Sequence, residues 1–348
     1  MAKVFVVSGL RLSGVSYKYR KSDFLLEVDN FSGKRGEIVC LLGPSGCGKS
    51  TILKLIAGLE RALTGTIVIN KRTVSSPADG VHVFTEKRNV GLIFQHPALF
   101  PHQTVVENVA FAVKESNKEK RTQRALEVLA TLGIENYGAS YPHMLSGGQQ
   151  QLVTIARTIA QNPEIILLDE PFSNLDVILR AKVRSDVFSV IKSKNIPVLL
   201  VTHDPEEALE IADKIYVMRD GKIVQCGTSR EIYNFPKDAH LAQFFGRQNY
   251  FESVVRDGKV LFDLGSIQAG SLENGSRVAV CIRPDAIVLQ SSSSTTAVVK
   301  LVRFFNNMVY ITVGNNAYWM KFWGAVLPEV GDVIRVSLDP SKALLFKL

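Results

Sequence analysis

The chain has 348 residues, 46% of them hydrophobic, and a formal net charge of +8. That length supports one large domain plus a smaller one, and the apolar share lets a substantial core be buried. No apolar run approaches the roughly 20 residues of a membrane span. The start, Met1-Ala2-Lys3-Val4, lacks the arrangement of a secretory signal. The basic balance suits phosphate ligands, nucleic acid or a membrane surface, and is also common on ordinary soluble proteins. Cys40, Cys47, Cys226 and Cys281 show neither CxxC pairing nor metal-like spacing. Reduced thiols in a cytoplasmic protein are therefore expected.

In chain order, residues 1–245 alternate short β-rich runs with helical patterns, which predicts an α/β fold with a mixed or parallel sheet. Glu37–Leu42 reads as a strand that runs into a glycine-rich loop and then a helix over Ser50–Leu59. Asn89–Phe94 reads as another strand, and Glu164–Leu168 and Val198–Thr202 as buried central ones. Between them, at about residues 96–162, the pattern turns helical. Arg121–Leu132 places Ala125, Leu126, Val128, Leu129 and Leu132 on one broad face. After Gly246 the texture changes to short β-rich runs: Arg277–Ile282, Ala297–Phe304, Met308–Val313, Tyr318–Phe322, Val333–Leu338 and Ala343–Phe346. An all-β module, a small barrel, is expected over residues 246–348.

Three motifs carry chemistry. Gly43-Pro44-Ser45-Gly46-Cys47-Gly48-Lys49-Ser50 matches G-x-x-x-x-G-K-[ST] between a strand and a helix, the context that motif demands. Its glycines let backbone N–H groups curl around phosphates, and the helix start adds positive partial charge. Lys49 supplies a full charge to the β- and γ-phosphates, and the Ser50 hydroxyl suits Mg²⁺. Ile165-Ile166-Leu167-Leu168-Asp169-Glu170 is an apolar strand ending in two carboxylates. Asp169 can hold the metal and Glu170 can orient and polarise an attacking water. Leu145-Ser146-Gly147-Gly148-Gln149 opens a second helix with free N–H groups and a hydroxyl, a second anion site on one chain. One nucleotide needs only one phosphate loop, so two chains are expected to share each nucleotide.

Taken together, these segments closely resemble the ATP-binding cassette (ABC) ATPases, whose signature is LSGGQ. The resemblance covers roughly residues 2–245 and implies a P-loop NTPase cassette with a helical subdomain, ATP and Mg²⁺ as ligands, and ATPase activity. It further implies that Thr51 joins the nucleotide site beside Ser50 and that Tyr19 stacks on adenine, with Tyr17 a competitor. Gln95 stands at the Q-loop, which touches Mg²⁺ and the membrane subunit. Ser173-Asn174-Leu175-Asp176 matches the D-loop, with Asp176 at the dimer. His203 matches the switch histidine at the γ-phosphate, and Ser146, Gly147, Gly148 and Gln149 complete the site of the opposite copy. One departure is Leu152, where the family usually has arginine; the expected cost is an ion pair, not catalysis. Cys47 suggests that alkylating reagents inhibit and that ATP protects.

A single cassette without a membrane span resembles a separate importer subunit. His96–Val109 is similar to the importer segment that docks a cytoplasmic helix of the permease. Val278–Asp285 resembles the RPE-type segment of the oligomer-binding-like TOBE domain. The resemblance implies a homodimer peripheral to the cytoplasmic face of the membrane, integral-membrane permease subunits, and an external solute-binding protein acting indirectly. Ala139–Met144 and the compact C-terminal module look most like the ferric-iron branch; sugar, polyamine, thiamine, sulfate and molybdate branches stay open. A soluble ABC ATPase acting on nucleic acid or ribosomes is the reading from another class. The coiled-coil split or second cassette of such proteins is missing, and no nucleic acid partner is expected. Phe304, Phe305, Tyr310, Trp319, Phe322 and Trp323 lie among Lys300, Arg303 and Lys321. They are read as core or dimer contact in preference to an oligonucleotide surface.

Overall fold

The computed structural model describes residues 9–20, 23–173, 175, 177–324 and 326–348. The chain divides into two compact units, Met1–Ile232 and Tyr233–Leu348. The first begins with β1 (Gly9–Lys18), β2 (Leu25–Lys34), β3 (Ile38–Leu42), α1 (Lys49–Ala57), β4 (Thr64–Ile69), β5 (Arg72–Ser76), β6 (Val81–His82) and β7 (Val90–Ile93). Next come α2 (Val105–Ala110), α3 (Lys118–Thr131) and α4 (Gly147–Ala160), the helical stretch read from the sequence. The unit continues with β8 (Ile165–Asp169), α5 (Val177–Ser193), β9 (Val198–Thr202), α6 (Pro205–Ile211), β10 (Lys214–Arg219) and β11 (Lys222–Gly227), and α7 (Ser229–Asn234) follows.

One sheet joins all eleven strands in the order β6-β5-β4-β1-β2-β11-β10-β3-β9-β8-β7. From β10 to β7 neighbours run parallel, because helical crossovers return the chain to the same end of the sheet. β3 and β9 are buried along their whole length, as parallel strands covered on both faces must be. In register, Leu42 pairs with Thr202, Val201 with Asp169, and Leu168 with Ile93. The residues just past these strand ends, namely the glycine loop, His203, Glu170 and Phe94-Gln95, therefore emerge side by side.

The antiparallel half, β1, β2 and β4–β6, makes the sheet mixed, one of the two forms expected, although its strands were not read individually from the sequence. β1 alternates, with Leu10, Leu12, Val15 and Tyr17 pointing into a core shared with Ile52, Leu55 and Ile56 of α1. Arg88 ties this half to α1. It is 2% exposed and donates Nη1 to the carbonyls of Leu55 and Ile56, both at 2.8 Å, and Nε to that of Val83 at 2.7 Å. The cation thus satisfies carbonyls at the negative end of α1. Burial lowers its pKa to about 10.

The second unit holds α8 (Ala239–Phe244), β12 (Asn249–Val254), β13 (Lys259–Phe262), β14 (Gly265–Gln268), β15 (Arg277–Ile282) and β16 (Ile287–Leu289). It ends with β17 (Thr296–Arg303), β18 (Met308–Val313), β19 (Asn316–Lys321), β20 (Val333–Leu338) and β21 (Ala343–Lys347). The sheets run β12-β15-β21, β13-β14 and β16-β20-β17-β18-β19 around one core that includes Val278, Val280, Val299, Ile311 and Val336. The sequence reading changes domain after Phe245. Here α8 packs on β15, and that contact draws the preceding residues into the second unit. The aromatics of this unit divide. Tyr318 and Phe322 are core residues, whereas Phe304 and Trp323 are exposed; the side chain of Phe305 lies outside the described ones.

Candidate functional site

The glycine loop leaves β3 and enters α1 through Gly48, whose φ of 107° is a left-handed conformation that side-chain-bearing residues rarely adopt. At Gly43 a Cβ would lie 2.3 Å from the Met218 carbonyl oxygen, so only glycine fits there. No side chain caps α1, so its first N–H groups are not spent on a capping side chain. Lys49 is 6% exposed and donates Nζ to the Gly43 and Pro44 carbonyls, each at 2.8 Å. The lysine holds the loop in a curve and keeps a positive charge beneath it.

A cleft of about 460 Å³ opens over this loop. Ser45, Gly46, Gly48, Lys49, Ser50 and Thr51 form its floor, Tyr19 and Phe24 one wall, and Glu170 faces them. Tyr19 hydrogen bonds to Thr51 Oγ1 at 3.0 Å. Tyr17, the competing aromatic, is buried and donates to Glu60 at 2.8 Å; burial pushes its phenol to about 12. Phe24 was missed in the sequence, because nothing in Asp23-Phe24-Leu25 marks a loop that folds over the glycine motif.

Asp169 sits at the end of β8, and Ser50 donates its hydroxyl to Asp169 Oδ1 at 3.2 Å. Burial raises the Asp169 pKa against the lowering effect of Ser50. Glu170 follows with φ 48°, left-handed for a residue with a side chain. Strain of this kind is held by the surroundings. The Glu170 N–H donates to Val201 O at 3.0 Å, and Ser173 Oγ donates to Glu170 O at 3.0 Å. The turn aims the carboxylate at His203, whose Nδ1 lies 2.8 Å from Glu170 Oε1. Asp204 caps α6 through the N–H groups of Glu206 and Glu207 and so orients the turn carrying His203.

The remaining motif residues stand elsewhere. Ser146 caps α4, accepting from Gln149 N at 3.3 Å, while Gln149 Oε1 accepts from Ser146 N at 2.9 Å, a closed capping box. Gln150 Nε2 ties the loop to the carbonyls of Pro142 and Leu145. None of Ser146, Gly147, Gly148 or Gln149 lines the cleft. Gln95 is exposed past β7 and does not line the cleft either. Asn174 and Asp176 lie outside the described residues; next to them Arg180 donates to the Ser173 and Leu175 carbonyls at 3.3 and 2.8 Å. Leu152 is a buried residue of α4, packed where an ion pair had been considered. Cys47 is 5% exposed, and burial raises its pKa despite neighbouring Lys49.

A second cleft, of about 500 Å³, lies among the helices and is lined by Ala98, Phe100, Phe111, Arg157 and the outer strand β7. Buried Asn108 clamps its rim by accepting from Phe100 N and donating to the carbonyls of Phe100, Gln103 and Thr104. Among the described residues no helix is long and apolar enough to cross a membrane.

Residues 26–173 match the ABC transporter family. Over 289 residues the chain is 40% identical to the spermidine/putrescine import ATP-binding protein PotA of Oleidesulfovibrio alaskensis, covering 80% of this chain and 76% of that protein. It is 34% identical over 345 residues to the Fe(3+) ions import ATP-binding protein FbpC of Mesorhizobium japonicum, covering 92% and 94%. Among solved structures, a dimeric ATP-binding cassette in a post-hydrolysis state with ADP and Pi shares 30% identity at a TM-score of 0.55, covering 64% of this chain and 99% of that one. The phosphate loop, the paired carboxylates and the signature helix thus come with relatives matched over most of their length: the chain belongs to the ABC transporter family, as an ATP-hydrolysing, ATP-binding subunit of import type.

Proposed function

We propose that two copies of this chain share two ATP molecules and drive solute import through a membrane permease, working as a peripheral subunit on the cytoplasmic face. The observation that carries this reading is the Glu170–His203 contact at 2.8 Å beside a cleft floored by Lys49 and Ser50. Tyr19 stacks on the base, and the loop from Gly43 to Thr51 receives the phosphates. Ser50 and Asp169 offer two hard oxygens 3.2 Å apart, a donor set that fits Mg²⁺, with Gln95 as a further ligand. The ion, when bound, supplies charge neutralisation on phosphate oxygens. Glu170 orients a water and takes its proton, while His203 holds the carboxylate in place and contacts the γ-phosphate. Ser146, Gly147, Gly148 and Gln149 serve the partner copy's nucleotide, and Asp176 belongs to the interface between copies. Their absence from their own chain's cleft supports that sharing.

The cleft rimmed by Ala98 and Phe100 receives a permease helix. Its apolar lining and the Asn108 clamp give a shaped surface that moves with the loop after β7. Ferric iron is the solute we place first, because the iron-import relative is matched along 94% of its length. The higher identity of the polyamine relative, 40%, favours polyamine as the second reading. Solute binding by the external protein encoded with the permease separates the two. For the motor itself, Glu170→Gln is expected to bind ATP, to accumulate as a nucleotide-bound dimer and to lose turnover by a factor of about 10² or more. Wild-type hydrolysis in that variant would refute the assignment.

A further inference from the structure

The outer face of β17–β19 carries chemistry that the ATPase cycle leaves unused. Alternation sends Tyr318 and Met320 of β19, and Val309 and Ile311 of β18, into the core. The intervening positions face outward. Register aligns Leu301, Tyr310 and Trp319 in one cross-strand row and Arg303, Met308 and Lys321 in the next. The side chain of Asn249 pins β19 here, accepting from Trp319 N at 2.6 Å and donating to Trp319 O at 2.8 Å.

Three cations rest on this platform. The guanidinium carbons of Arg247 and Arg303 lie 4.3 and 4.9 Å from the Trp319 ring centre, and Lys321 Nζ lies 4.6 Å from that of Trp323. Among the described residues none of the three makes a hydrogen bond or an ion pair. Ring contacts restrict such side chains and satisfy none of their N–H donors. Beside them, Phe304 is 84% and Trp323 68% exposed. Clustered donors without acceptors and large bare rings are the features of a binding hot spot rather than of a solvated face.

We propose that this face docks an acidic polypeptide segment of a partner protein. Its carboxylates meet Arg247, Arg303 and Lys321, and its apolar side chains cover Trp323, Phe304 and Leu301. A second copy of the chain fits poorly, since a two-fold contact would set the same cations against themselves. Nucleic acid fits less well than polypeptide. The Trp319 ring is already covered by Arg247, Arg303 and Tyr310 (ring centres 4.8 Å apart for the last), which removes the run of open rings that base stacking requires.

The test titrates the full chain, at low ionic strength, with a fluorescent peptide of alternating glutamate and phenylalanine. The controls are an oligothymidylate of equal charge and inorganic phosphate. Expected is saturable peptide binding that weakens at least tenfold in the Arg247→Glu/Arg303→Glu variant, and also in Trp323→Ala, with basal ATP hydrolysis unchanged in both. The Trp323→Ala arm separates a built surface from bare charge attraction, since it leaves all three cations in place. No saturable binding, or equal binding by the variants, overturns the proposal. So does equal or tighter binding of the oligothymidylate, or displacement of the peptide by millimolar phosphate alone.

Discussion

The two glycine-flanked helix starts of the first unit look alike in sequence and differ in their hydrogen bonds. At α1 no side chain caps the helix, and the lysine charge is buried beneath the loop. At α4 the capping box of Ser146 and Gln149 uses the hydroxyl oxygen and two N–H groups, those of Ser146 and Gln149, within the chain itself. The first start is built around a ligand from its own chain outward. The second is closed by its own capping box and lies outside its own chain's cleft, as the proposed sharing between copies requires. A helix dipole alone does not make a nucleotide site; the difference comes from what surrounds each helix start.

That contrast is broken most severely at Lys49. Lys49→Ala removes the charge under the phosphates and two hydrogen bonds that curve the loop, so kcat/KM for ATP is expected to fall by about 10³ or more, with measurable loss of nucleotide binding. Ser146→Ala should act differently. ATP binding to the isolated subunit persists, while turnover and ATP-dependent dimerisation fall by roughly 10²-fold. The lost cap costs the helix about 1 kcal/mol, seen as a modest drop in Tm. Equal loss of ATP binding in both variants would erase the distinction between the two helix starts.

Cys47 sharpens the comparison further. Burial and a raised thiol pKa keep the thiolate scarce, so maleimide modification is expected to be slower than that of exposed Cys226 and slower still with ATP present. Cys47→Ser should retain most activity; rapid stoichiometric labelling of Cys47 at neutral pH would contradict this picture of the loop. The smallest effect concerns Glu207, behind the His203 turn. It is 7% exposed, and burial raises its pKa. A carboxyl raised in the folded state costs stability once pH exceeds that folded value, and costs nothing below its ordinary range. Glu207→Gln should therefore raise Tm by roughly 2 °C at neutral pH, and the gain should vanish as pH falls through the ordinary carboxylate range. A lower Tm for the variant at neutral pH would show that its charge is stabilising.

Much of the site was legible in the chain because its chemistry is local. A phosphate loop needs glycines, a lysine and a hydroxyl within one turn, and the acidic strand end needs an apolar run before it. The parallel strands were legible for the same reason, since burial on both faces writes continuous apolar runs such as Val198–Thr202. The antiparallel half was not. β1 and β2 mix polar and apolar residues, and β1 also pairs with β4, across α1 in the chain, through a register shift between Ser13 and Ser16. The aromatics of the C-terminal sheet were read together as core or dimer contact, and the structure divides them, because period-two alternation does not say which row turns inward; Phe322 is core, whereas Trp319 lies on the outward row beside buried Tyr318.

By itself, then, the sequence determined the nucleotide chemistry, the cassette family and the order of its motifs, because each rests on residues adjacent in the chain. Only the tertiary structure decided that Tyr19 and not Tyr17 lines the cleft, that Glu170 meets His203, and that the signature residues stay outside their own cleft. Those outcomes depend on strand order and register, which bring β8, β9 and β3 together from distant parts of the chain. Contacts made across such separations leave no local pattern to read.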